Sequence, residues 1–249
     1  MKQFRFTGLL FSVSLVFLLT SCGGGSNEKT ATTDSAAAAD SAAKAAAAAK
    51  AVSTIVTTPQ NMVIVTHKVA NYAKWLMAYE GHDSARLASG LHNYVIGRGL
   101  QDSNMVMVAL KIDDTAKAKA FSKNPGMKKD MQKAGVVGQT MISIFTATWQ
   151  DTMTIDSKLR SRATFAVKDW DVFVKVFQDG KQVRMDNGIT DRVVGHELDD
   201  TKKVSVVTAI TDTAKAFAYY KSDALKKRRV AGGVIGEPAR LIFRIVKRY

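Results

Sequence analysis

Short runs of β-branched and aliphatic residues alternate along this chain with stretches whose apolar residues recur every three or four positions. Met62 to His67 reads as a strand. Asn71 is placed to cap a helix after it, with Tyr72, Trp75, Leu76 and Tyr79 on one buried face. Leu91 to Leu100 alternates as a second strand, Gln101 to Asn104 is a polar turn and Met105 to Ile112 is a third strand, so the pair is a hairpin. Asp114 caps a second helix, Pro125 breaks or restarts it, Gly135 and Gly138 end it, and Met141 to Trp149 is the last strand. The order is βαββαβ, a split βαβ or ferredoxin-like arrangement in which both helices cover one face of a four-stranded antiparallel sheet.

The pattern then returns at a constant offset of 98 residues. Asp114, Thr115, Ala116, Lys117 and Ala118 recur as Asp212, Thr213, Ala214, Lys215 and Ala216, and Gly135, Val136 and Gly138 recur as Gly233, Val234 and Gly236. Residues 62–149 pair with 160–247 without a gap, and about 25 of some 88 positions are identical, which marks a duplicated domain. The second copy runs from a strand at Arg162 to Val167 through a helix bearing Trp170, Phe173, Val174 and Phe177 and a hairpin around Asp199 to Lys203. It closes on a strand from Ala239 to Val246. Each copy alone leaves one sheet face bare, so the expected fold is α+β, two tandem ferredoxin-like domains packed sheet to sheet as a pseudo-dimer. The boundaries read as 59–150 and 160–249, with 151–159 as linker.

The first 58 residues follow neither pattern. Lys2 and Arg5 precede an apolar stretch, Thr7 to Leu19, that is too short to span a bilayer, so residues 1–21 read as a signal peptide. Its end, Leu19, Thr20, Ser21 and Cys22, resembles the lipoprotein box of bacterial exported proteins. Cys22 is the single cysteine, so no internal disulfide is available and lipidation accounts for the unpaired thiol. An ordinary secreted chain cut elsewhere is the plainer alternative. Residues 22–58, rich in glycine and then alanine, cannot bury a core and read as a tether. By resemblance to lipoprotein sorting rules, Gly23 in place of an aspartate permits transfer to an outer membrane if the cell has one.

The formal charge of +14 would suit nucleic acid, but the lysines are spread along helix faces without interleaved aromatics, and an exported, tethered protein rarely meets it. No nucleic-acid partner is expected. The densest patch, Lys226, Lys227, Arg228 and Arg229, reads as the exposed side of a helix.

His67, Lys68, Val69, Asn71, Tyr72 and Trp75, followed by the Ala-Lys-Ala-Phe helix and the Gly-Val-Val-Gly exit from Gly135, resemble the dimeric α+β barrel superfamily, and within it the antibiotic-biosynthesis-monooxygenase-like proteins. The resemblance spans the first repeat and, more weakly, the second. It implies domains paired sheet to sheet, with a ligand pocket between helices and sheet in each. Members include cofactor-independent monooxygenases, haem-degrading enzymes, isomerases and proteins with no known activity, so the resemblance does not fix the chemistry.

Paired positions separate what the fold needs from what one copy keeps. Arg86 and Arg184, Gly90 and Gly188, and Gly97 and Gly195 occur in both. The glycines read as a helix exit and a closely approached strand, and the arginine either pairs with a local carboxylate or anchors an anionic ligand. His67, Trp75, Tyr79, His82, His92 and Tyr94 instead face Phe165, Phe173, Phe177, Gly180, Thr190 and Arg192. Trp75, Tyr79, His82 and Arg86 follow at helical spacing, an aromatic floor ending in an imidazole and a guanidinium. A small aromatic or phenolic ligand fits such a pocket, with Trp75, Tyr79, Arg86, His92 and Tyr94 as binding residues and His67 or His82 as candidate proton acceptor. The plainer alternative makes Trp75 and Tyr79 core, hydrogen-bonds His67 and His92 to strand-end backbone and leaves His82 in solvent.

No histidine pair has the helical spacing of a zinc site, so no metal is expected. Haem would need His67 or His82 as axial ligand, and nothing marks either, so no cofactor is expected. Phosphate-binding glycine loops and a nucleophile elbow are absent from the sequence. Two readings stand: an envelope lipoprotein that binds a small apolar ligand or is structural, and a cofactor-independent oxygenase or isomerase acting in the first repeat. The expected partners are a membrane, through the lipid anchor, and the small ligand; the pseudo-dimer needs no obligate homo-oligomer.

Overall fold

The structure, a computed structural model, describes residues 53–249; the signal segment, Cys22 and the tether as far as residue 52 lie outside the described residues. The first repeat runs β1 (Ile55–Val56), β2 (Gln60–Val69), α1 (Tyr72–Gly81), α2 (Asp83–Ala88), β3 (Leu91–Gly99), β4 (Met105–Ile112), α3 (Thr115–Ser122), α4 (Pro125–Lys133) and β5 (Val136–Asp151). The second runs β6 (Leu159–Val167), α5 (Trp170–Asp179), α6 (Lys181–Asp186), β7 (Ile189–Glu197), β8 (Asp200–Ile210), α7 (Thr213–Lys221), α8 (Asp223–Ala231) and β9 (Val234–Arg248).

The helix starts follow their side-chain caps. Asn71 accepts from the Lys74 backbone N–H at 3.0 Å, and Asp114 accepts from Ala116 and Lys117 at 2.7 and 3.1 Å. Pro125 does restart a helix, sitting in the first turn of α4 behind the cap Asn124. Two boundaries differ from the sequence reading. The tether ends before residue 58, because Ile55 and Val56 pair with Asp151 and Gln150 at the end of β5. Strands β5 and β9 begin at Val136 and Val234, so Gly138 and Gly236 lie inside them instead of closing the preceding helix. Their left-handed backbone serves a bulge: Thr66 pairs with Met141 but Lys68 pairs with Val137, leaving His67 opposite three residues, two more than regular pairing gives.

The sheets do more than face each other. Strand order β5-β2-β4-β3-β9-β6-β8-β7, with β7 returning to β5, closes one antiparallel barrel within the chain. Its two seams join the repeats by backbone pairing, β3 with β9 and β5 with β7. One retained glycine pair sits at the seams: a Cβ on Gly97 would strike the Phe243 ring, and one on Gly195 would strike Phe145 and the Thr146 carbonyl. Residues of both repeats fill the interior, among them Met62, Ile64, Met107, Phe145, Phe243 and Ile245. Alternation sends Val65, Val69, Val106 and Val108 outward, under the helices of the first repeat. Gly90 and Gly188, both at φ +66°, provide the expected helix exits.

Candidate functional site

The first repeat holds a cavity of about 210 Å³ between its sheet and helices α1, α2 and α4. Because strand side chains alternate, Val65, His67, Val108 and Leu110 form its base, while Trp75, Tyr79, His82 and Arg86 line one side. Phe121, Met127 and Met131 line the other, apolar side. This volume lies below the roughly 300–1,000 Å³ of drug-sized ligand sites, so it fits a smaller molecule.

The helical spacing does assemble the expected aromatic floor. Trp75 and Tyr79 stack at 5.0 Å between centroids, and His67 meets Trp75 edge-on at 5.5 Å. The Arg86 guanidinium lies 3.8 Å over the Tyr79 ring. Arg86 and Tyr79 are both held by Asn93, whose Oδ1 accepts from Tyr79 Oη at 2.5 Å and from Arg86 Nε at 3.1 Å. Asn93 in turn donates to Asp83 at 2.5 Å, and Arg86 reaches the same carboxylate at 3.3 Å. Arg86 is therefore committed to a local network. Asn93 was not singled out in the sequence; its signal was the offset, which pairs Asn93 with Asp191 as it pairs Arg86 with Arg184.

His67 does not hydrogen-bond to strand-end backbone. It is 3% exposed, opposite the β5 bulge, and neither ring nitrogen has a hydrogen-bond partner. Burial lowers its pKa to about 4, so the ring is neutral at pH 7. His82 is exposed and separates α1 from α2 at the cavity rim. Its Nδ1 lies 2.7 Å from the Ala78 carbonyl, which can only accept, so Nδ1 carries a proton and, in the neutral ring, Nε2 is the acceptor. Burial raises the Tyr79 hydroxyl well above the usual phenol range, against the opposing Arg86 charge.

Two expected binding residues lie elsewhere. His92 faces solvent and pairs with Asp113 at 2.6 Å, because alternation turns it away from the helix-covered face that Leu91 and Asn93 take. Tyr94 lines the barrel interior, since strand alternation turns it to the opposite face from Asn93, and the irregularity between Asn93 and Val95 brings Val95 onto that same interior face. Trp75, at 2% exposed, is both core and cavity wall. Among the described residues no group of three or more His, Cys, Asp or Glu side chains is placed to hold a metal ion.

The second repeat has a cavity at the equivalent place, smaller at about 100 Å³. Phe165, Phe173 and Phe177 replace His67, Trp75 and Tyr79. Arg228 and Arg229 are half-buried along it, so only Lys226 and Lys227 of the basic run form the exposed helix side.

No protein-family model matches the chain, and no curated protein matches it. Solved structures do. An anthrone oxidase-like protein, 13% identical, aligns over 78% of this chain and 95% of its own at a TM-score of 0.54. TA0507, a candidate chlorite dismutase, is 14% identical over 76% of this chain and 96% of its own, at 0.51. The chain has the dimeric α+β barrel fold. Its neighbours include a ferredoxin fold protein related to antibiotic biosynthesis monooxygenases from Listeria monocytogenes, 8% identical over 77% of this chain and 97% of its own, at 0.44. At such identities the fold is what is shared.

Proposed function

We propose that this protein binds a small, flat, aromatic or apolar molecule carrying one hydroxyl or carbonyl group in the first-repeat cavity, and that it does so as an envelope lipoprotein anchored through Cys22. The observation that carries the reading is His67, a buried neutral imidazole on a cavity wall with both nitrogens unpartnered. An unmet buried donor or acceptor costs about 1–3 kcal/mol, which a ligand hydroxyl or carbonyl would recover. The stacked Trp75 and Tyr79 rings offer the flat apolar contact. Burial makes His67 a weak proton acceptor, which favours binding over proton abstraction at that residue.

The second reading, an oxygenase or isomerase acting on a phenolic substrate, rests on His82. Its Nε2 is an acceptor at the rim of the same cavity, so in this reading His82 takes the proton and His67 orients the substrate. The oxygen chemistry is suggested by the name of the anthrone oxidase-like fold neighbour, and the isomerase alternative only by the family resemblance of the first repeat.

A panel of phenols, quinols and aromatic ketones, followed by native mass spectrometry and quenching of tryptophan fluorescence, tests both readings. Binding that is lost in His67→Phe supports the site, and oxygen consumption or product formation that disappears in His82→Ala supports the enzyme. Failure of the whole panel to bind, or undiminished binding by His67→Phe, would overturn the proposal. For the anchor, Cys22→Ser should leave the chain unprocessed or release it from the membrane fraction. Normal processing and tight retention of that variant would reject lipidation.

A further inference from the structure

The barrel interior has a polar end that the first-repeat cavity does not involve. A separate cavity of about 90 Å³ lies inside the barrel, with Met62, Ile64, Met107, Phe145 and Phe243 among its apolar lining. Arg160, Arg192 and Arg248 come together in its lining, Arg162 lines it beside Ser205, and Asp151 is the one carboxylate among its lining residues. An open cleft along residues 155–158 and 245–248 shares Arg160, Ile245 and Arg248 with it and supplies a way in from solvent.

The internal repeat shows that the fold does not require these charges. At the offset of 98, the four arginines correspond to Met62, Ile64, Tyr94 and Gln150, which carry no cation and complete the same barrel. Placing guanidinium groups out of water is unfavourable unless an anion meets them. Arg192 is only 9% exposed, and its Nη1 has no hydrogen-bond partner; Asp151 lies 3.7 Å away, in ion-pair range but without a hydrogen bond. Its Nη2 donates to the Met153 carbonyl at 2.5 Å. Arg160 spends one nitrogen on the Ser157 and Leu159 carbonyls, at 2.6 and 2.9 Å, neutral acceptors that leave its charge uncompensated. Arg162 bonds Ser205 at 3.0 Å and has Glu197 nearby. Burial first, then repulsion from Arg192 and Arg248, lowers the Arg160 pKa to about 10, consistent with a missing counter-charge.

We infer that this end of the barrel binds a small oxyanion, a carboxylate or a phosphate, through Arg160, Arg192 and Arg248. Arg192 Nη1 makes the buried contact, and Arg248, exposed at the strand end, closes over the anion from the solvent side. Guanidinium forks suit both anions. A carboxylate could also extend a short apolar chain toward Phe145 and Phe243, whereas phosphate would stay among the arginines.

The test is thermal unfolding and calorimetry of the purified protein with sodium phosphate and with sodium butyrate, each against sodium chloride of equal ionic strength. Saturable stabilisation by either anion above the chloride control is expected, and which anion saturates identifies the source. Arg248→Gln, which copies Gln150, should weaken binding by roughly tenfold or more. Arg192→Tyr, which copies Tyr94, should abolish it. His67→Phe should bind the anion as the unmodified protein does, which separates this site from the first-repeat cavity. The inference is overturned if neither anion exceeds chloride, if both arginine variants bind normally, or if His67→Phe removes the effect.

Discussion

Arg184 and Asp191 are joined by two parallel hydrogen bonds of 2.7 and 2.6 Å, both side chains buried, whereas Arg86 and Asn93, at the same places in the first repeat, share one of 3.1 Å. One repeat closes its arginine into a neutral pair. The other spreads it over Asn93 and the half-exposed Asp83, and the same Asn93 amide oxygen also accepts from the Tyr79 hydroxyl. A buried pair stripped of one partner loses about 3–5 kcal/mol. Asp191→Ala should therefore lower unfolding stability by about that much, and Asn93→Ala by about 1–3 kcal/mol, since it removes the hydrogen bonds of a neutral side chain and leaves Arg86 paired with Asp83. Urea unfolding curves read both. An equal loss would mean that the two networks are energetically alike.

His67 should make stability depend on pH. Its folded pKa is depressed, so the unfolded chain binds the proton more tightly, and the folded state is disfavoured as that proton arrives. The contribution is intact above the unfolded value of 6.5 and is lost as pH falls through about 4. The displacement from 6.5 to about 4 corresponds to about 3 kcal/mol. His67→Phe, the second repeat's choice, should remove this slope and raise stability at pH 7 by about 1–3 kcal/mol. Unfolding curves at pH 7, 5.5 and 4.5 for both proteins give the comparison; parallel losses would show that His67 does not titrate as a buried group.

The glycines at the two seams carry a prediction about packing alone. Gly195→Ala puts a methyl against the Thr146 carbonyl and Phe145, so the strands must part, and it should cost about 1–3 kcal/mol or more. Gly97→Ala meets a side chain, the Phe243 ring, and should cost less if the ring can turn. Gly81→Ala, with open space around the added carbon, is the control and should stay within about 1 kcal/mol of the parent. A neutral Gly195→Ala would show the β5–β7 seam to be loose.

How much of this was legible follows from what each signal measures. Capping residues and apolar periodicity report local geometry, so Asn71, Asp114 and Pro125 marked their helices correctly. The strand starts at Val136 and Val234 were missed because Gly138 and Gly236 look like helix terminators, while in the barrel they shape a bulge opposite His67 and Phe165. Helical spacing brought Trp75, Tyr79, His82 and Arg86 to one cavity, since those contacts are set within one segment. His92 and Tyr94 were read as pocket residues, yet alternation alone turns both to the face opposite Asn93, and the irregularity next to Asn93 only carries Val95 onto that face as well. Hydrogen bonding across the seams is a long-range property, and no local pattern in either repeat carried it.

The seams make the sharpest statement about how the chain folds. Removing the second repeat would strip β3 of its partner β9 and β5 of its partner β7, leaving two unpaired strand edges and an interior apolar face, with Met62, Ile64, Met107 and Phe145 open to water. A fragment of residues 53–151 should therefore be insoluble or form a homodimer in which a second copy takes the place of β6 to β9. In that dimer Gly97 would have to accept Phe145 of its twin in place of Phe243, a substitution of like for like, and the four barrel arginines would be replaced by Met62, Ile64, Tyr94 and Gln150. The homodimer should accordingly keep ligand binding at His67 and lose any response to oxyanions. Light scattering coupled to size exclusion decides the first point. A soluble, stable monomer would mean that the first repeat can cover its own interior face, and the closed barrel would then be a convenience of the duplication and not a requirement of the fold.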